Sequence, residues 1–149
     1  MATANWFGLA GRDQWGATAA DRVDWVTDTI KVTLHTVTYV PAQDTDQYFA
    51  AATNELGTAG GYTAGGATLA SKTLTYDTAT NEVRLKAATT TWANATFTAR
   101  IAVVRKDTGV AATSHLISWV DFTANQSPAG VDFSIVWDAT SGVVKATVA

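Results

Sequence analysis

Residues 29–39 read TIKVTLHTVTY. Ile30, Val32 and Leu34 fall on one parity, and Lys31, Thr33 and His35 on the other. A period of two marks a half-buried strand rather than a helix. Val37 and Tyr39 share the parity of Lys31, so a bulge or an exit from the sheet is expected near His35. Pro41 then ends the strand, because proline cannot donate to a ladder.

The same alternation recurs towards the C-terminus. Residues 67–77, ATLASKTLTYD, set Leu69, Ser71, Thr73 and Thr75 against Ala70, Lys72, Leu74 and Tyr76. DTATN at 77–81 is a turn whose Asp and Asn can bond nearby backbone. With NEVRLKA, in which Val83 and Leu85 point inward, it forms an expected hairpin. Around 97–104, Phe97, Ala99, Ile101 and Val103 oppose Thr98, Arg100, Ala102 and Val104. In SHLISWVDF (114–122), Leu116, Ser118, Val120 and Phe122 oppose His115, Ile117, Trp119 and Asp121. Val131, Phe133, Ile135 and Trp137 share a face, and VVKATV (143–148) closes the chain. Turns fall at 107–109, 127–130 and 139–142. Seven or eight short strands at this spacing predict an all-β fold, an antiparallel β-sandwich or barrel-like domain. No strand–helix–strand rhythm is present, which argues against a parallel α/β sheet.

Two segments break the strand pattern. Residues 1–27 read as an N-terminal arm, and residues 28–149 as the β-sandwich domain. In the arm, Trp6, Leu9 and Ala10 can share a helical face, but Gly8, Gly11 and Gly16 each weaken a helix by about 1 kcal/mol relative to Ala. Either the arm folds back over its own sheet or it reaches to a neighbour. In residues 41–56, PAQDTDQYFAAATNEL, Asp44 or Thr45 is a candidate cap for one short helical segment over Gln47–Ala52, with Tyr48 and Phe49 pinning it to the core.

Composition narrows the function. The chain has 149 residues, no cysteine, a net charge of −3 and only 15% charged residues. One domain of this length buries a core without disulfides or thiolate metal sites. Its ten Lys and Arg are scattered rather than gathered into the basic stripe of a nucleic-acid binder, so direct nucleic-acid binding is not expected. The opening MATANWFGLAGRDQWG lacks a basic leader and a continuous apolar run, so a signal peptide is not expected. No run approaches the roughly 18 apolar residues of a membrane span.

Candidate chemistry is sparse. GTAGGYTAGG lacks the Gly-Lys-Ser/Thr ending and following helix of a phosphate loop, and reads as glycine-assisted bends. His35 and His115 are expected on outer strand faces, with no nucleophile and orienting acid beside them. Asp44 and Asp46 have a calcium-like spacing but no closing Glu, which favours helix capping or loop chemistry. NAT at 94–96 and NQS at 125–127 match the glycosylation sequon and read as polar turns. No catalytic residue, metal site or cofactor is expected.

Six tryptophans are many for this length. Trp137 is expected in the core, and Trp119 in the core of the opposite layer or at an interface. Trp6 and Trp15 lie where no strand pattern claims them, and exposed apolar residues of that size mark contact with something else. Trp6, Phe7, Leu9, Trp15 and Trp119 are therefore the candidate interface residues.

DTIKVTL (28–34), PAQDTDQYF (41–49), the run NELGTAGGYTAGGATLASKTLTYD (54–77) and the closing Trp137-Asp138-Ala139-Thr140-Ser141-Gly142 together resemble small structural proteins of tailed bacteriophages. That last element is one residue longer than the W-D-A-x-G of the family's outline. The resemblance covers about residues 28–149. It implies a non-enzymatic virion protein, made in the host cytoplasm and carried in the virion. The first expectation is a capsid decoration protein that binds the major capsid protein lattice or other virion proteins as a homo-oligomer. Alternatives are a tail, baseplate or fibre-attachment component, and a carbohydrate-binding β-sandwich. No membrane partner is expected.

Overall fold

The computed structural model describes residues 4–16, 18 and 20–147. Ten strands occur among them: β1 (Asn5–Trp6), β2 (Ile30–His35), β3 (Ala67–Thr68), β4 (Thr73–Asp77), β5 (Glu82–Lys86), β6 (Thr90–Thr96), β7 (Ala99–Lys106), β8 (Leu116–Gln126), β9 (Ala129–Ile135) and β10 (Val144–Thr147). Helix α1 spans Gly8–Gly16, and a single 3-10 turn spans Phe49–Ala51. Every strand pairing is antiparallel. The strands form a five-stranded sheet in the order β1-β8-β7-β2-β3, a three-stranded sheet β10-β5-β4 and a pair β6-β9. The fold is all-β and sandwich-like, not a closed barrel. The count exceeds the expected seven or eight because β1 and β3 are two-residue strands and because residues 90–106 form two strands, not one.

β2 sits near the centre of the large sheet, paired with β7 from Ile30↔Lys106 to His35↔Ile101. Ile30, Val32 and Leu34 are fully buried. They share one core with Leu85, Trp92, Ile135 and Val144 from the smaller sheets. The opposite face of the large sheet is also covered. Phe7, Ala10, Tyr39, Ala52, Ile101, Val103 and Leu116 form a second cluster there, supplied by the arm, by residues 39–52 and by the sheet itself. Thr33 and His35 are consequently buried. The His35 ring lies 5.1 Å from Tyr39 and 6.1 Å from Phe49. The expectation that His35 and His115 lie on outer faces is therefore corrected: both are buried, because a third layer covers that face.

Bulges explain where alternation misleads. The β7–β8 register shifts between Ala99 and Ile101 and again between Val104 and Arg105. Ala99 joins the main core while Ile101 and Val103 join the second cluster. On β8, where Ile117 is the extra residue of the second shift, Leu116 faces away from Val120 although the two share a parity. A bulge inserts one unmatched residue and reverses the parity beyond it. Val131, expected beside Phe133 and Ile135, is exposed.

The helix expected over Gln47–Ala52 shortens to the 3-10 turn, without a side-chain cap. Asp46 instead accepts the Tyr39 hydroxyl at 2.9 Å and the Ala42 amide at 3.0 Å, which is the loop chemistry anticipated for it. The glycine run does consist of bends. At Gly60 and Gly66 φ is +57° and +78°, and an added Cβ would fall 1.9 Å from the Thr96 carbonyl and 2.2 Å from that of Val32. Its Gly65 amide points at Glu55, which also receives the Tyr62 hydroxyl, each at 2.6 Å. A carboxylate already fills the position an anion would take.

Candidate docking surface

The arm is fixed to its own chain from several directions. β1 pairs Asn5 with Trp119 and Trp6 with Ser118 on β8. The Phe7 amide donates to Ile117 O at 3.1 Å and the Gly8 amide to Gln43 O at 2.9 Å. The Phe7 ring is buried, 4.7 Å from Trp119. From α1, Asp13 reaches into the domain, where its Oδ2 receives Gln47 Nε2 at 2.8 Å and faces His115 Nε2 at 2.7 Å. Further along, Tyr48 donates to Asp21 at 3.0 Å. The Arg12 guanidinium, with help from His115 and Gln47, holds the Asp13 carboxyl at about 2.

This Asp–His pair superficially resembles acid–base machinery, but its surroundings are structural. His115 is 1% exposed. Its second nitrogen faces the Leu116 carbonyl at 3.1 Å, so no nucleophile is oriented by it. His35 bonds Thr53 O at 2.8 Å and the Thr33 hydroxyl at 2.9 Å. Burial pushes its pKa down, which favours the neutral ring. Among the described residues, no three His, Asp or Glu side chains are grouped to hold a metal ion. No helix among them is long and apolar enough to cross a membrane.

The five candidate interface residues separate once placed. Phe7 lies wholly within the chain's own core. Leu9 and Trp119 are half-buried. Trp6 is half-buried and its indole donates to Lys145 O at 2.9 Å. Trp15 alone stands out, 91% exposed at the end of α1. It borders a groove of about 870 Å³ between α1 and the β4–β5 hairpin, lined also by Trp6, Trp25, Leu74, Leu85 and Ile117. Gln14, Arg22 and Asp24 are among its polar members. Trp25, missed at the level of sequence, packs in the main core and anchors the groove by donating to Lys86 O at 3.0 Å. The only sequence signal for it was an aromatic residue flanked by Val23 and Val26 a few residues before β2. Trp92 is buried between Tyr62 and Phe133 and is not part of any open surface.

No protein-family model, curated protein or solved structure matches this chain.

Proposed function

We propose that the chain is a non-enzymatic structural protein of a tailed-phage particle, a capsid decoration protein that docks on the major capsid protein through the Trp15 end of its arm. The observation that carries the reading is Trp15 itself, 91% exposed beside an apolar groove. Large aromatic anchors dominate protein interfaces, and an exposed apolar surface of this kind marks an interaction site. The resemblance of residues 28–149 to phage structural proteins supplies the particle setting. The buried, internally bonded histidines favour a binding role over a catalytic one.

The test is co-sedimentation with capsids lacking the protein. Trp15→Ala removes an interface anchor worth about 2 kcal/mol or more, so binding weakens roughly thirtyfold while the fold persists. Unchanged binding overturns the reading. A tail, baseplate or fibre-attachment role would use the same surface, and labelled particles imaged at low resolution separate these positions.

One observation favours a second reading. The groove sets the half-buried Trp6 and the exposed Trp15 beside Gln14, Arg22 and Asp24, aromatic faces with planar polar groups, as sugar recognition requires. A glycan array with Trp15→Ala as the control tests it. Binding to no glycan retires the carbohydrate reading.

A further inference from the structure

Most strand edges here are blunted. β1 and β3 are two residues long. β10 carries Lys145 in its middle, paired with Glu82. In the β6–β9 pair the register shifts twice, and β9 contributes Gly130 and Asp132. Short length, charge and bulges are the devices that stop an edge from pairing with another chain.

β4 has no bulge, and its one charge lies at its end rather than in its middle. It ends its sheet, so among the described residues no strand lies on its outer edge. Its ladder with β5 runs without a register shift from Thr73↔Lys86 to Asp77↔Glu82. Its sequence, TLTYD, holds no Pro or Gly, and Thr73 to Tyr76 are all exposed. Leu74 and Tyr76, on one parity, are each 54% exposed. Its one charge, Asp77, is already neutralised by Arg84 of its own hairpin at 2.7 Å. Two copies of this edge can therefore meet without like-charge repulsion.

We infer that β4 pairs with β4 of a second copy, antiparallel about a two-fold axis at Thr75. That register is self-complementary. Thr75 opposes its own mate, Thr73 opposes Asp77 of the other copy, and Leu74 opposes Tyr76 of the other copy, twice by symmetry. Aliphatic–aromatic cross-strand pairs are among the stabilising ones. The two three-stranded sheets become one of six strands. Because Leu74 also lines the Trp15 groove, the pairing joins two grooves across the axis. The inference does not depend on the particle reading, since it concerns the free protein.

The absence of cysteine makes the test clean. Opposed residues of an antiparallel pair lie about 4.5–5.5 Å apart at Cα, within disulfide reach. Thr73 and its mate would be four residues out of step, roughly 13 Å apart. Single variants Thr75→Cys and Thr73→Cys are oxidised, and the mass of the unmodified protein is followed by light scattering across a concentration series. The expected result is a covalent dimer through Thr75→Cys only, with a mass that rises with concentration and returns to monomer in Leu74→Lys. A monomer at every concentration, or equal cross-linking through both cysteines, overturns it.

Discussion

One face of the five-stranded sheet is closed by Ile30, Val32, Leu34, Ala102, Val104 and Val120 packing against aliphatic and aromatic side chains of the smaller sheets. The other face is closed by α1 and residues 39–52, and much of what it buries is polar. Asp13, Thr33, His35, Arg105, Ser114 and His115 are all buried. There Arg105 pairs with Asp107 at 2.6 Å and lies 4.0 Å over the Phe49 ring. The first face owes its stability to apolar area. The second combines a few apolar residues with a network of paired polar groups, since leaving a buried one unmatched is costly; within it the Arg105 Nε has no partner among the described residues. The described arm is therefore part of the fold, and its most exposed large apolar side chain is Trp15.

The sharpest way to break this contrast is to empty each face in turn. Leu34→Ala should cost about 2–5 kcal/mol and Phe7→Ala about 3–5 kcal/mol in denaturant unfolding, the range for large-to-small changes in a packed core. If Phe7→Ala is near neutral while Leu34→Ala keeps its cost, the arm is a loose cover and not a core layer.

A smaller effect separates the polar face from the apolar one. Asp13→Ala leaves His115 and Gln47 without their carboxylate and should cost about 1–3 kcal/mol. Asp13→Asn keeps an acceptor for one of them and should recover part of the loss.

Acid should unlock the polar face in two stages. Burial holds the His35 imidazole below its ordinary value of 6.5, so the unfolded chain takes up that proton first. Its contribution is complete above about 6.5 and declines as pH falls from there towards the folded value. Asp13, held at about 2 against an ordinary 3.8, contributes above 3.8, and that contribution is lost as pH falls towards 2. Asp107 behaves alike: burial pushes it up, but Lys31 and Arg105 overcome this and hold it at about 2. The melting temperature should fall gently below 6.5 and steeply below 4, and His35→Gln should flatten the upper descent alone.

The least effect is expected at the arm's outer end. Trp15→Ala should change stability by no more than about 0.5 kcal/mol, because that side chain is 91% exposed.

Sequence periodicity revealed the apolar face and hid the polar one, for a physical reason. The β4–β5 hairpin was legible because its determinants are local: Asp77 accepts the Ala79 and Thr80 amides at 2.9 and 3.3 Å. Trp137 was legible as core from its parity, and it is buried. His115 was not, because its partner Asp13 lies 102 residues away and nothing in SHLISWV announces it. The bulges at Ala99–Ile101 and Val104–Arg105 escaped for the same reason, since a bulge is a property of a pair of strands. At the candidate docking surface, sequence singled out Trp15 but grouped it with Phe7, which has the same character and the opposite exposure.

Site-resolved amide hydrogen exchange on the free protein addresses the arm most directly. Phe7 and Gly8 donate across to Ile117 and Gln43, so their amides should be protected together with those of Ala102 and Val103 in β7, as one cooperative unit. Exchange of Phe7 and Gly8 at the rate of an unstructured chain, with β7 still protected, would show that the arm is not a layer of the fold.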